Sequence, residues 1–130
     1  MPYQSAIEQL EEFGIKFIRF QWNDLINLTR FRVIPIKFFK KMLKQAQDQQ
    51  RQPFVAVTQA SLGIVQVQIP EGFTATGEWH YVADMRSLRI CGYAPGHASV
   101  MGYFQVKDPS PGQSLDIPLC PRSCLARVVE

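Results

Sequence analysis

The polar side chains best suited to chemistry lie in one segment, residues 14–35, which reads GIKFIRFQWNDLINLTRFRVIP. Asp24 stands where the chain is predicted to turn, because Asp and Asn tolerate left-handed backbone and bond to nearby amides. Arg30 and Arg32 follow at alternate positions, so a strand places both on one face. Two guanidinium groups on one face need either solvent or a carboxylate, phosphate or substrate partner. The residues alone leave both interpretations open.

No other set of side chains specifies an active site. Cys120 and Cys124 supply only two of the four ligands that a structural zinc site needs. Cys91 and His97 are near each other in sequence, but nothing orients them as a nucleophile and its base. The motifs G-x-G-x-x-G, H-E-x-x-H and G-x-S-x-G do not occur. We therefore predict no metal site, and we predict that the cysteines are free thiols with structural roles.

The hairpin that carries Asp24 requires a strand on each side of the turn. Residues 15–22 are rich in β-forming side chains and have apolar groups on both faces, which predicts a strand that is covered on both sides. Residues 28–34 alternate more cleanly, with the two arginines on one face and smaller or apolar groups on the other.

Helices are predicted before and after this hairpin. Ser5 and Glu8 form a capping box for a first helix, from about Ala6 to Phe13, which Gly14 ends as a left-handed cap. Pro35 suits the first turn of a second helix, in which apolar residues and lysines fall on different sides. Its apolar side is predicted to consist of Ile36, Phe39, Leu43 and Ala46.

The rest of the chain predicts further strands and a closing helix. The strands are expected within 54–69, as one or two strands, and at Tyr81–Ile90 and Ser99–Val106. Cys120-Pro121 opens a last amphipathic helix. Its predicted buried side consists of Leu125 and either Val128 or Val129.

The composition predicts one folded domain, with 130 residues and 46% hydrophobic side chains. No apolar run approaches the roughly 20 residues that span a bilayer, and the acidic, amphipathic N-terminus is not a secretory signal. A cytoplasmic protein without a membrane partner is expected. Residues 14–51 carry nine Lys or Arg against two Asp, whereas the remainder carries five basic and nine acidic side chains. A basic half is more often a solvated helix face than a nucleic-acid surface, so no nucleic-acid partner is predicted.

An ordered set of these features resembles the N-terminal β-grasp domain of glutamine synthetases. The set runs over essentially the whole chain and comprises the leading helix, the hairpin with Asp24, Arg30, Arg32 and Pro35, the basic helix, Asp84 within VADM, the strand HASVMGYF, and the closing Pro121, Arg122, Ser123 and Leu125. The resemblance implies an α+β fold, a β-grasp with a mixed sheet wrapped on a helix and with flanking N- and C-terminal helices. It implies one such domain over residues 1–130, with the catalytic domain absent after Glu130.

The resemblance also implies a function for one loop. In glutamine synthetases this domain supplies a loop to the neighbouring subunit's active site, where an Asp helps to bind ammonium. The counterpart here is Val57–Ser61, with Thr58 at the carboxylate position and Ser61 retained. A neutral hydroxyl does not supply the charge that stabilises a cation, so ammonium is not favoured as the co-substrate. Interface and structural roles are expected for Asp24, Arg30, Arg32, Asp84 and Arg122.

The whole protein implied by the resemblance is an ATP-dependent carboxylate–amine ligase acting on glutamate and ammonia or an amine. ATP and Mg²⁺ or Mn²⁺ would be bound by the missing catalytic domain, and none of them by this domain alone. Its partner would be that catalytic domain or a homo-oligomeric ring, and the isolated chain would be inactive. Two alternatives stay open: a free-standing β-grasp module that binds proteins, and a nucleic-acid binder that uses the Lys37–Lys44 helix.

Overall fold

The computed structural model describes residues 3–65, 68–69, 71–74 and 76–129, which form three α-helices and seven strands. The helices are α1 (Gln4–Glu12), α2 (Ile36–Asp48) and α3 (Pro121–Val129). The strands are β1 (Phe17–Asn23), β2 (Thr29–Pro35), β3 (Phe54–Thr58), β4 (Glu78–Ala83), β5 (Arg89–Ile90), β6 (His97–Val100) and β7 (Gly102–Val106). Short 3₁₀ turns at Gln59–Leu62 and Met85–Ser87 follow β3 and β4.

The strands form two sheets around a shared core. The first sheet is mixed, in the order β2-β1-β6-β5, with β1 antiparallel to β2 and parallel to β6. The second sheet is antiparallel, in the order β3-β4-β7. Helix α2 covers the inner face of the first sheet, where the Phe39 ring meets the edge of Phe20. The predicted α+β, β-grasp-like fold with flanking terminal helices is confirmed.

The first helix begins two residues earlier than predicted and ends one residue earlier. Its first residue is Gln4, so Ser5 lies inside α1 and no side chain caps the helix; the capping box is wrong. Leu10 is buried, whereas Phe13 is 59% exposed. Gly14 has φ of +65°, a left-handed conformation that favours glycine, and its amide bonds back to Glu11.

The hairpin and the second helix follow the sequence pattern closely. Strand β1 begins two residues later and ends one residue later than expected. It buries one face, whereas Phe17 on the other face is 38% exposed, so the prediction that it is covered on both sides is wrong. Strand β2 leads directly into α2, whose buried residues are Phe39, Leu43 and Ala46. These positions share one side of the helix because three- and four-residue spacings match its 3.6-residue period.

The predicted strand Ser99–Val106 is wrong as a single element, because it divides between the two sheets. Strand β6 pairs with β1 in the first sheet, Met101 is a break, and β7 pairs with β4 in the second. The Met101 amide donates to the Ser87 hydroxyl, and the Met101 carbonyl accepts from the Asp84 backbone amide. Burial still alternates across the break, so the sequence pattern contains no signal for the change of sheet.

Two other strand predictions are also shorter in the structure. Tyr81–Ile90 resolves into the end of β4, a 3₁₀ turn and the two-residue β5. In 54–69 the regular strand is β3 alone, followed by the Gln59–Leu62 turn; positions 66 and 67 lie outside the described residues.

The buried side predicted for the closing helix is wrong. Leu125, Val128 and Val129 are 63%, 77% and 76% exposed, and α3 has no buried residue. The amphipathic pattern is present, but none of the described elements covers it. Just before the helix, Cys120 is buried, while Cys124 is exposed and all three cysteines are free. None of the helices in the described ranges is long and apolar enough to cross a membrane.

Candidate functional site

Asp24 organises the turn between β1 and β2. Among the residues that the structure describes, it is the one charged residue that is buried. Its Oδ1 accepts from the amides of Ile26, at 3.0 Å, and Leu28, at 2.8 Å. Its Oδ2 accepts from Arg30 Nε at 2.7 Å. Burial raises the pKa of this carboxyl, but the bonds from Arg30 and the two amides outweigh burial, so the pKa lies below its usual value.

The turn itself needs a left-handed residue, and Asn27 provides it with φ of +63°. Asparagine tolerates this region better than most non-glycine residues, so the hairpin closes without a glycine. The exposed tip consists of Leu25, Ile26 and Leu28, each about half exposed.

Three hydrogen bonds join this hairpin to the loop that follows β3. The Trp22 indole Nε1–H donates to the Ser61 carbonyl at 3.1 Å, and the Leu25 amide donates to the Leu62 carbonyl at 2.9 Å. Arg30 Nη2 donates to the Ile64 carbonyl. Arg30 therefore bridges the Asp24 carboxylate and the loop, and the position of the loop depends on the hairpin.

The loop and the hairpin enclose an open cavity of about 400 Å³. Its lining residues are Trp22, Arg30, Phe31, Thr58, Ala60, Ser61 and Ile64. The Thr58 and Ser61 hydroxyl oxygens lie 3.5 Å apart, so the two predicted loop residues face the same space. The lining offers hydroxyls and a guanidinium already paired with Asp24, and it includes no carboxylate. It is suited to hydrogen bonding, and it lacks the charge that would hold a cation.

Arg32 lies on the same side of β2 as Arg30 but does not line the cavity. Its Nη1 donates to the Ala56 carbonyl of β3 at 2.6 Å, across the gap between the two sheets. The sequence left open whether the two arginines face solvent or bind a carboxylate, phosphate or substrate. Arg30 binds a carboxylate, and Arg32 binds a backbone carbonyl, which neither interpretation included.

Asp84 and Arg122 form a second cluster, which does not contribute to the lining of the Thr58–Ser61 cavity. Asp84 Oδ1 accepts from Arg86 Nε at 3.1 Å, and Oδ2 accepts from Arg122 Nη2 at 2.5 Å. The pKa of Asp84 is lowered to about 2, most strongly by the hydrogen bond from Arg86 and also by that from Arg122, although partial burial raises it. The cluster ties the first turn of α3 to the 3₁₀ turn after β4.

The low pKa of Asp84 predicts an acid-dependent contribution to stability. Above about pH 4 the wild-type chain is expected to be about 1 kcal/mol more stable than Asp84→Asn, because the carboxylate keeps its partners while solvent screens the exposed Arg86. As pH falls through about 2 the folded carboxyl takes up its proton and this difference disappears. Urea midpoints of both proteins from pH 2 to 6 measure it; a difference that stays constant with pH would contradict the assignment.

One group of side chains was not identified from the sequence. On the first sheet, Arg19 Nε donates to His97 Nδ1 at 3.1 Å, and its guanidinium lies 4.7 Å from the centre of the Phe31 ring. The centre of the Tyr93 ring lies 5.5 Å from the same guanidinium. The period of two places Phe17 and Arg19 on one face of β1, and the register of the hairpin places Phe31 on the same face. The expectation that β1 is covered on both sides does not distinguish this face.

The described residues contain no group of three or more His, Cys, Asp or Glu side chains that could hold a metal ion. The donor set around Thr58 and Ser61 is neutral, apart from the Arg30–Asp24 pair, and so does not fit a metal–nucleotide site.

Comparison with known proteins finds similarity in fold. No family model matches the chain, and no curated protein matches its sequence. Ligand-free GmaS, a glutamine-synthetase-like γ-glutamylmethylamide synthetase, matches with a TM-score of 0.63 and 18% identity, over 94% of this chain and 24% of GmaS. The GmaS–ADP complex gives 0.60 and 18%, over 95% and 25%. The chain thus spans a quarter of that protein's length, and the predicted resemblance is confirmed at the level of fold: this chain folds like part of a glutamine-synthetase-like enzyme.

Proposed function

We propose that this chain is the N-terminal domain of a glutamine-synthetase-like, ATP-dependent carboxylate–amine ligase. The observation that carries the proposal is the likeness to one quarter of GmaS over nearly the whole chain. The sequence order of the hairpin, basic helix and closing helix supports the same assignment. In this proposal a γ-carboxylate takes the terminal phosphoryl group of ATP and releases ADP. An amine then attacks the acyl phosphate, forms the amide and releases phosphate and a proton, and both steps take place outside this domain.

Within that enzyme, the Thr58–Ser61 loop is proposed to approach the active site of a neighbouring subunit. One hydrogen bond from the hairpin holds the end of this loop at Ser61, and two more hold the residues just after it, Leu62 and Ile64. The two hydroxyls of the loop face an open cavity. A hydroxyl accepts a hydrogen bond from an amine N–H but contributes no net charge. We expect this loop to orient the amine and not to select a small cation by charge.

The remaining parts of the proposal concern the rest of the protein. ATP and Mg²⁺ or Mn²⁺ would be held by a catalytic domain, which would also be the partner of this domain, in cis or within a homo-oligomeric ring. A cytoplasmic location suits an enzyme that consumes ATP. The isolated chain is expected to form no γ-glutamyl amide.

The loop assignment predicts a selective kinetic effect in the native polypeptide that contains this sequence. With glutamate, ATP and either ammonia or methylamine, Thr58→Ala is expected to raise the KM for the amine several-fold, by roughly the loss of one hydrogen bond. The KM for ATP should stay within about twofold, because no step at the nucleotide uses this hydroxyl. Steady-state kinetics at saturating levels of the other substrates provides both values.

Thr29→Ala is the matched control, since Thr29 is exposed at the start of β2 and bonds only to Asn23. Equal changes in both KM values, or equal effects of the two substitutions, would contradict the loop assignment. Amide formation by the isolated chain, or a native polypeptide without any ligase activity, would contradict the proposed function itself.

A second candidate function, a protein-binding module without catalysis, is favoured by the exposed apolar side of α3. Leu125, Val128 and Val129 present contiguous apolar surface, a common sign of a protein interface. A native polypeptide that lacks ligase activity but co-purifies in fixed ratio with one protein would support this candidate.

A further inference from the structure

The first sheet has an outer face, turned away from α2, that is both apolar and cationic. We define the outer sheet face as Phe17, Arg19, Phe31, Val33, Tyr93 and His97. Phe17, Phe31 and Val33 are 38%, 49% and 40% exposed, and Tyr93 is 72% exposed. Aromatic and aliphatic groups exposed together mark an interaction surface more often than isolated exposed residues do.

Arg19 occupies the middle of this face in a fixed orientation. Its Nε donates to His97 Nδ1, and the His97 ring packs on Phe17 with centres 5.1 Å apart. The ring centres of Phe31 and Tyr93 lie 4.7 and 5.5 Å from its guanidinium. Because Nε is used for this bond, the fork of the two terminal nitrogens is the part left to meet a ligand. In the described ranges no carboxylate lies within ion-pair distance of Arg19.

A guanidinium held in this way is suited to a carboxylate. The planar fork matches the two oxygens of a carboxylate, and flanking rings reduce competition from water. The apolar surroundings require that the carboxylate arrive beside an apolar side chain, since an isolated ion would leave Phe31 and Val33 exposed. The fitting ligand is therefore a protein surface with an acidic residue next to a large apolar one.

The chain itself carries such a pair at the end of α1. Glu12 is exposed and is followed by Phe13, which is 59% exposed. The other two acidic residues of α1 have partners, because Glu8 accepts from Gln4 and Glu11 pairs with Lys40. Among the described contacts of this helix, Glu8 has a hydrogen bond but no ion pair, and Glu12 is the carboxylate with neither.

We propose that one copy of this chain docks the Glu12–Phe13 pair onto the outer sheet face of a second copy, with Glu12 on Arg19 and Phe13 against Phe31. The two surfaces belong to different elements of the same chain, helix α1 and the first sheet. Phe31 also lines the Thr58–Ser61 cavity, but the contact uses neither of the two hydroxyls and goes beyond the proposed ligase function.

Sedimentation velocity of the full 130-residue chain, over a concentration series at low and moderate salt, tests this contact. Arg19→Glu and Glu12→Arg are each expected to raise the dissociation constant of self-association at least about tenfold, because like charges then face each other. The double variant restores the pair with its charges exchanged and is expected to return within about threefold of wild type.

Lys41→Glu is the matched control, since it makes the same charge change on an exposed position of α2, on the other side of the sheet. It should leave self-association unchanged. A wild-type chain that stays monomeric at high concentration, or equal effects of Arg19→Glu and Lys41→Glu, would overturn the proposal.

Two milder variants keep the proposal testable if Arg19→Glu does not fold, as judged by circular dichroism. Arg19→Lys keeps the charge but loses the fork, and Tyr93→Ala removes one flanking ring from an exposed loop position. Each is expected to weaken self-association several-fold, and wild-type affinity in both would overturn the proposal. Thr58→Ala should leave self-association unchanged, so failure here and failure of the ligase assignment are distinguishable.

Discussion

Gly102→Ala is expected to destabilise the chain by more than about 3 kcal/mol, because it has the closest added-Cβ contact of the glycines in the chain. A Cβ at this position would lie 1.9 Å from the Val82 carbonyl oxygen and 2.8 Å from its carbonyl carbon. Both atoms belong to the backbone of β4, so no side-chain rotation relieves the contact and the β4–β7 ladder must separate. Urea denaturation followed by circular dichroism measures the loss.

Gly92→Ala is the matched control for this prediction. A Cβ at Gly92 meets nothing within 4 Å, and the residue does not have a left-handed backbone. Its substitution should be neutral or stabilise the fold by up to about 1 kcal/mol, through the smaller entropy of the unfolded chain. Similar losses at positions 92 and 102 would mean that the close approach of β4 and β7 is not what requires a glycine.

The same glycine illustrates what the sequence does and does not predict. The alternation within Ser99–Val106 correctly predicts extended chain on both sides of Met101 and places Val100, Gly102 and Phe104 on one buried face. A strand keeps its period of two in any sheet. It contains no information that the chain leaves one sheet at Met101 and enters another. That change depends on the backbone contact between Gly102 and Val82, residues distant in sequence.

The hairpin and the closing helix also show that local sequence patterns do not identify contacts between distant residues. Asp24 in a turn and the arginines on one strand face follow from local chemistry and were predicted. The bonds from Trp22 and Arg30 to the loop after β3 span 39 and 34 residues, so no local pattern identifies them. The apolar stripe of α3 predicts that something covers it but not what, and within the described chain nothing does.

Asp24→Asn is expected to destabilise the chain by about 2 to 3 kcal/mol and to release the Thr58–Ser61 loop. The substitution leaves the Arg30 guanidinium without its carboxylate, in a setting where its side chain is only 24% exposed. Arg30 then turns to solvent, and its bond to Ile64 is lost with the pair. Hydrogen exchange should therefore accelerate more at the Trp22 indole and the Leu25 amide, which bond to the loop, than at the Asp84 amide.

Two controls distinguish loss of the Asp24–Arg30 pair from the general effect of removing a negative charge. Asp48→Asn makes the same change at the exposed end of α2 and should stay within about 0.5 kcal/mol of wild type. The double variant Asp24→Asn with Arg30→Met should lose less stability than the sum of the two single variants. The Arg30→Met change removes the guanidinium charge that Asp24→Asn leaves without a partner. Additive losses, or exchange that rises equally at the Asp84 amide, would show that Asp24 stabilises the fold as a whole and does not position the loop. In that case the Thr58 and Ser61 hydroxyls would owe their placement to β3 and the 3₁₀ turn alone.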